Sequence, residues 1–402
     1  MKYTEQEVLQ FVNEEDVKFI RLAFCDVLGR QKNISIMPDE LERVFEYGMG
    51  IDASAIEGFG GEIHSDLFLH PQPDTLSILP WRPEHGRVVR MFCTVTYPDG
   101  TVFENDARSI LIKAVETAKN AGYTFYFGSE MEFYLFKLDE DGETTKIPYD
   151  RAGYMDIAPD DKGENVRREI CLTLEQMGIH PEGSHHEEGP GQNEIDFRYS
   201  DALSAADNAV SFVNVVKAVV SRNGLCADFS PKPLDSAPGN GLHINMSVKG
   251  SDGSSPMDSM IAGVLDKISE MTAFLNPEEK SYERLGSHKA PGYVSWSSEN
   301  RSQLVRIPAA CGQYKRAELR SPDPSANPYL AYALLIYAGL YGIENKLGLP
   351  EAADINLYKA DKAVLSRFKK LPMSREEAKI IAKNSEFIKE HLPEMMIKTY
   401  CK

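Results

Sequence analysis

Residues 126–136 read YFGSEMEFYLF, and the alternation in this stretch decides the fold. Glu130 and Glu132 stand two apart, so on a strand both carboxylates leave the same face. Like charges side by side on a sheet repel each other unless a cation joins them. Phe127, Phe133, Tyr134, Leu135 and Phe136 flank the pair, as in a central strand rather than a wetted edge. A solvated strand face remains the plainer alternative for this stretch alone.

Three other segments repeat the device. In GLHINMSV (241–248), His243, Asn245 and Ser247 share one face, and Leu242, Ile244, Met246 and Val248 share the other. In KRAELRS (315–321), Arg316, Glu318 and Arg320 project together. HHEEGPGQNEID (185–196) holds Glu187 and Glu194 around a Gly-Pro-Gly turn. Separately, these could be a satisfied core histidine, a charged edge strand and a surface loop. Together, glutamates with a histidine and no thiolate form a ligand set for Mg²⁺ or Mn²⁺ rather than structural zinc. Arg284, Arg301, Arg306, Arg316 and Arg320 supply guanidinium forks suited to carboxylate and phosphate oxygens. Hard cations with converging arginines imply phosphoryl transfer. The chain has no G-x-x-x-x-G-K-[ST] loop and no strand-G-x-G-x-x-G-helix unit, so a nucleotide would sit in neither a P-loop nor a kinase site.

Bulk properties set the frame. A chain of 402 residues is long enough for two or three domains. A net charge of −17 argues against a nucleic-acid groove, which needs a basic patch. Six scattered cysteines without a CxxC pair read as reduced thiols. The N-terminus lacks an apolar core of the signal-peptide kind, and no unbroken apolar run reaches membrane-spanning length. A cytoplasmic protein with no membrane or nucleic-acid partner is expected.

The pattern changes near residue 103. Before it, short strands and turns predominate: VKFIRLAFCDVLGRQKNISI (17–36) reads as a hairpin closed near Gly29, and RVVRMFCTVTYPDG (87–100) as a strand ending in a turn. A glycine-rich acidic loop, GIDASAIEGFGGEIHSD (50–66), lies between them. After it, helices at 107–122, 166–178, 206–224 and 328–348 alternate with strands. The expected organisation is α+β: a small strand-rich domain over 1–102, then a large domain of mixed helices and strands over 103–402.

Long blocks in this order resemble type I glutamine synthetases over nearly the whole chain. They include IDASAIEGF, GSEMEFYLF, SHHEEGPGQNEID, FSPKPLDSAPGNGLHINMS, NPEEKSYERL, ENRSQLVRIP and RAELRSPDPSANPYLAYALLIYAGLYGI. The resemblance implies a β-grasp-like N-terminal domain and a funnel-like antiparallel half-barrel flanked by helices. It implies an ATP-dependent glutamate–ammonia ligase that forms γ-glutamyl phosphate, with two or more Mg²⁺ or Mn²⁺ ions per site. One cation would be held by Glu132, Glu187 and Glu194, the other by Glu130, His243 and Glu318. Glu182, Asn245, Ser247, Arg301, Arg306 and Arg316 would contact ATP. Gly239, Arg284, Arg301, Arg320 and Tyr154 would contact the other substrates, and Asp52, Arg301 and Arg320 would act in catalysis. A homo-oligomeric ring, hexamer or dodecamer, is implied, with the Asp52 loop reaching the neighbouring subunit's site. The C-terminal EFIKEHLPEMMIKTYCK lacks the further tail with which such chains clasp two rings, so the hexamer is the first expectation.

Departures from the pattern cluster around the incoming amine. The family's flap, roughly R-L-V-P-G-Y-E-A-P, is RLGSHKAP here (284–291), with Lys289 in place of the glutamate that attracts ammonium. D-G-S-S becomes Asp52-Ala53-Ser54-Ala55, an asparagine becomes Pro238, and an arginine becomes Cys311. Tyr358 sits where some bacterial members are adenylylated, but its surroundings differ and no such regulation is expected. Two readings stay open. Ammonia remains the nucleophile, with Glu188 or another acid replacing the flap carboxylate, or a larger amine yields a γ-glutamyl amide. The intact ligand and arginine sets favour the first. A non-catalytic structural or regulatory relative is the third alternative.

Overall fold

The structure, a computed structural model, describes residues 3–60, 65–82, 85–287, 289–310 and 312–402. Cys311 therefore lies outside the described residues, as do His288 of the flap segment and residues 61–64 of the acidic loop. The N-terminal part runs α1 (Glu5–Glu14), β1 (Val17–Cys25), β2 (Gln31–Ile36), α2 (Leu41–Tyr47), β3 (Met49–Asp52), β4 (Asp66–Pro71), β5 (Ser77–Ile78) and β6 (Arg87–Thr96). Its sheet has the order β2-β1-β6-β4-β3, with β5 beside β6. β1 pairs parallel with β6, and the other pairings are antiparallel. The β1–β2 hairpin closes at Gly29, whose φ of +79° suits a residue without Cβ.

Two helices accompany the strands of this strand-rich part. The first has a local signature in Thr4-Glu5-Gln6-Glu7. The Thr4 hydroxyl accepts from the Glu7 amide at 3.3 Å, and the Glu7 carboxylate accepts from the Thr4 amide at 2.7 Å. This capping box satisfies two backbone donors that a helix start leaves open.

The second part begins with α3 (Ala107–Asn120), β7 (Tyr123–Leu138), β8 (Thr144–Pro148), α4 (Glu164–Gln176), β9 (Pro181–His186), β10 (Gln192–Phe197) and β11 (Ser200–Asp201). It continues with α5 (Ala202–Arg222), β12 (Leu225–Asp228), β13 (Leu242–Gly250), α6 (Met257–Leu275), α7 (Glu279–Arg284), β14 (Trp296–Ser298), β15 (Val305–Ile307), β16 (Ala317–Leu319) and α8 (Pro328–Glu344). Short helices α9 (Lys362–Leu365), α10 (Arg375–Asn384), α11 (Glu386–His391) and α12 (Glu394–Tyr400) complete the chain. The large sheet has the order β14-β15-β16-β13-β7-β10-β9, with β8, β11 and β12 also pairing with β7. This is the half-barrel, and β7 is its spine.

Parity along β7 explains both faces. Phe125, Phe127, Met131, Phe133 and Leu135 are buried against the helical layer. Phe127 stacks on Tyr332 of α8 with ring centroids 4.5 Å apart, and Phe133 meets Phe212 of α5. Each buried phenylalanine is worth about 3–5 kcal/mol against truncation to alanine, which fixes the strand's facing. Glu130 and Glu132 then have no choice but the concave side. α8 is buried along almost its whole length and starts from Asn327, whose side chain accepts the Tyr329 amide at 3.1 Å. α5 alone among the described helices has the length and apolarity to cross a membrane, but its buried face packs on α4, β7 and β12 as a core helix does.

HHEEGPGQNEID is the clearest gain over the isolated reading. It is a hairpin rather than a surface loop, with β9 and β10 joined through residues 187–191. The Glu187 amide donates to Gln192 O at 2.8 Å, closing the turn.

Candidate active site

Four neighbouring strands align their polar positions across the concave face. Glu130 lies opposite Asp196 of β10 on one side and opposite His243 of β13 on the other. Glu132 faces Glu194, and Asn245 faces Glu318 of β16. Strand period decides which residues share a face, and register decides which face one another. The result is a carboxylate floor in a cleft of about 600 Å³.

His243 organises the floor. Its Nδ1 is 3.5 Å from Glu130 Oε2 and 3.7 Å from Glu318 Oε1, and its Nε2 is 4.0 Å from Glu132 Oε1. Glu130, His243 and Glu318 offer ligand atoms within 4.8 Å of one another. The set expected for the other cation is divided. Glu132 and Glu194 converge with His243, whereas Glu187 and Glu194 converge with His185. His185 Nε2 is 3.3 Å from Glu194 Oε1 and its Nδ1 is 3.8 Å from Glu187 Oε1.

Charge crowding is visible in the proton affinities. Burial and the Glu132, Glu130 and Glu187 carboxylates push Glu194 well above the usual carboxylate range. Burial and Glu132 raise Glu187, and burial with Glu194 pushes Asp196 up to about 9. Burial works against the Glu130 anion too, but its hydrogen bonds and attraction to His243, helped by Asn245 and Arg320, hold it at about 2. Oxygen and imidazole donors crowded this way suit a hard divalent cation, which removes the repulsion that raises these carboxylates. The residues present therefore fit the cations that the resemblance implies.

Arginines surround the floor. Arg306 Nη1 donates to Glu318 Oε2 at 2.5 Å, and Arg320 Nη1 donates to Glu318 Oε1. Arg316 Nε donates to Asn245 Oδ1 at 2.8 Å, and Asn245 Nδ2 donates to Glu130 Oε1 at 2.7 Å. Arg284 is buried, with Nη1 bonded to Ser321 O at 2.7 Å and Nη2 near Arg320 O at 3.3 Å. A guanidinium has five N–H donors, so several of Arg284's remain for a bound carboxylate. Burial lowers its proton affinity from the normal high value. Backbone comes close here: a Cβ on Gly239 would lie 2.3 Å from Pro231 O and 2.9 Å from Arg284 Cγ.

The expected nucleotide residues fall into two groups. Glu182, Asn245, Ser247 and Arg316 line a small compartment of about 100 Å³, with Tyr126, Tyr199 and Tyr314. Arg301 and Arg306 line the main cleft instead, and Glu130, Asp196 and Arg316 border both spaces. Three tyrosines and the Ser247 hydroxyl thus gather at one end, Arg284, Arg301, Arg306 and Arg320 at the other, and Arg316 stands between. Tyr154 lines the cleft, its ring 5.3 Å from that of His185. Asp52 does not: it is an exposed residue at the end of β3, its carboxylate accepting the Ser54 amide at 2.9 Å. Tyr358 donates to Arg301 O at 3.2 Å, and burial raises its hydroxyl to about 12.

Four site residues were not singled out for the floor by sequence. Asp196 shares β10's face with Glu194, and the spacing of two was sufficient to find it. Gln192 shares that face too, donating from Nε2 to Glu132 Oε2 at 3.0 Å and to Gly239 O at 3.2 Å. His185 lies opposite Glu194 across the hairpin, which only the register reveals. Glu188, considered only as a substitute acid, stands at the mouth with Nζ of Lys289 2.6 Å from its Oε1. A larger cavity of about 700 Å³ lies elsewhere, near Arg30, Lys217 and Arg375, but no ligand set converges there among the described residues.

Residues 104–402 match the family described as glutamine synthetase, catalytic domain, and residues 16–98 match glutamine synthetase, β-grasp domain. A glutamine synthetase of Clostridium saccharobutylicum is 46% identical over 370 residues, covering 89% of this chain and 84% of its own. One from Methanosarcina mazei is 44% identical over 413 aligned positions, covering 99% of this chain and 92% of its own. A solved structure titled as a GmaS–ADP complex superposes with a TM-score of 0.88 at 27% identity, covering 98% of this chain and 93% of the other. Plasmodium falciparum glutamine synthetase, at 22% identity, shares the fold with a TM-score of 0.87, over 100% of this chain and 95% of that one.

Proposed function

The chain belongs to the glutamine synthetase family, and from that premise we propose that it joins ammonia to the γ-carboxylate of L-glutamate at the expense of ATP. The observation that carries this reading is the floor itself: Glu130, Glu132, Glu194, His243 and Glu318 converge from four paired strands beneath a ring of arginines. The family's ligand positions are all filled.

The reaction follows from charge. A γ-carboxylate oxygen attacks the γ-phosphorus of ATP, the bond to the ADP oxygen breaks, and γ-glutamyl phosphate forms. Ammonia then adds to the acyl carbon, and phosphate leaves from the tetrahedral intermediate. Glu130, Glu132, Glu187, Glu194, His243 and Glu318 would hold Mg²⁺ or Mn²⁺, which would supply electrostatic neutralisation of the phosphoryl oxygens. Arg306 and Arg320, already gathered on Glu318, stand ready to share their forks with an arriving anion. Arg284, anchored by backbone carbonyls, presents its remaining donors to the glutamate carboxylate. Gly239 leaves room beside it. Glu182, Asn245, Ser247 and Arg316 border the nucleotide end. Asp52, exposed and away from its own cleft, serves the site of the next subunit in a ring.

A second reading rests on one observation. Lys289 lines the cleft at the flap position where the family carries a glutamate that attracts ammonium, which suits a larger amine yielding a γ-glutamyl amide. Phosphate release with ATP, Mg²⁺ and glutamate, measured against ammonium and a panel of primary amines, separates the two. Saturable release at millimolar ammonium supports glutamine synthesis; release only with a larger amine overturns it.

A further inference from the structure

The mouth of the cleft holds a cation that belongs to the chain. Lys289 Nζ lies 2.6 Å from Glu188 Oε1 and 5.4 Å from the centroid of the Tyr154 ring. A carboxylate beside an aromatic face within about 6 Å is how proteins recognise an ammonium group. Here the ammonium arrives on a tether.

The tether is held in an unusual conformation. Lys289 has φ +65°, a left-handed value that favours glycine or asparagine over a long side chain. The turn is pinned to buried Arg284, whose carbonyl accepts from both the Ser287 amide at 3.1 Å and its hydroxyl at 2.7 Å. The Ala290 amide donates to Ser287 O at 2.9 Å. A position that strains its residue is kept when the surroundings impose it. The turn aims the side chain across the cleft, to Glu188 on the β9–β10 connection and to Tyr154 on a third segment.

We infer that Glu188 and the Tyr154 ring form a binding site for an alkylammonium cation, which Lys289 fills from within. An incoming ammonium or primary amine must displace the chain's own ammonium to occupy it. Lys289 is thus a specificity-determining residue for the amine, a competitor that sets how much amine the enzyme needs and how large it is. The inference rests on the proposed ligase reading for the amine's role as nucleophile. The cation site itself stands on geometry.

The latch is weak by construction. Both side chains of the pair are half-exposed, so the ion pair favours the closed arrangement by only a few-fold. Removing a competitor that blocks the competent state lowers the apparent KM by the fraction of time it blocked, here about twofold to threefold.

Two measurements test this on the full-length enzyme. In steady-state phosphate release, Lys289→Met lowers the KM for ammonium and methylammonium about twofold to threefold and leaves the KM for glutamate in place. Glu188→Gln in the Lys289→Met background restores a high amine KM. In crystals soaked with thallium(I), an ammonium-sized cation, the anomalous map of Lys289→Met shows a peak between Glu188 and the Tyr154 ring. The peak is absent in wild type and in the double variant. Unchanged amine KM with no thallium at that position overturns the inference, as does a parallel shift in the glutamate KM. Failure of the wild type to release phosphate with any amine contradicts the ligase reading instead; the thallium map then decides the cation site alone.

Discussion

At the floor of the cleft, Glu130, Glu132, Glu194, His243 and Glu318 stand on paired strands, with the Phe127 and Phe133 side of β7 packed beneath them. At the mouth, Glu188, Tyr154 and Lys289 stand on three connecting segments and are half-exposed. The floor is placed by register, which cannot slip by one residue without turning every side chain over. The mouth is placed by turns and by one solvent-facing ion pair. A family can therefore hold its phosphoryl chemistry constant on the strands while the loops retune the amine.

The sharpest contrast comes from removing one carboxylate in each region. Glu318→Ala leaves the Arg306 and Arg320 guanidiniums without their buried partner, and we expect a loss of about 3–5 kcal/mol in urea unfolding, together with loss of activity. Metal follows in size. Mg²⁺ at about a hundred times its dissociation constant should stabilise the fold by about 2.7 kcal/mol, reversed by chelator, in calorimetric unfolding. The same addition to Glu318→Ala should stabilise far less. Gly239→Ala sits between the regions. Its Cβ would meet Pro231 O and the Arg284 side chain, so we expect the KM for glutamate to rise about tenfold, equivalent to about 1.4 kcal/mol, with a smaller change in the KM for ATP. Glu188→Gln is the smallest: loss of an exposed pair shifts unfolding by about 0.5 kcal/mol or less. A loss as large as that of Glu318→Ala would break the distinction between floor and mouth.

Legibility in the sequence follows the same division. Glu130 with Glu132, and His243 with Asn245, were readable because strand period is local. The capping box at Thr4 is an equally local signature of a helix start. Asp196 followed the same rule, two residues beyond Glu194. What the sequence does not carry is register: that His185 faces Glu194, or that His243 stands between Glu130 and Glu318, depends on how strands pair. The division of the nucleotide residues into two spaces is likewise a matter of three-dimensional placement. The Glu188–Lys289 contact joins positions 101 apart on opposite walls, beyond any periodic signal. Lys289 stands out in the sequence as a departure, but no spacing rule names its partner.

On the carboxylate floor, the γ-carboxylate is activated by taking the γ-phosphoryl group of ATP. The most direct test of this activation is isotope transfer from glutamate carrying ¹⁸O in the γ-carboxylate, with ATP, Mg²⁺ and ammonium, followed by mass analysis of the phosphate released. The account predicts one ¹⁸O atom in each phosphate formed, because the attacking carboxylate oxygen leaves with the phosphoryl group. Phosphate released without ¹⁸O would mean that water, not glutamate, takes the phosphoryl group, and would contradict it.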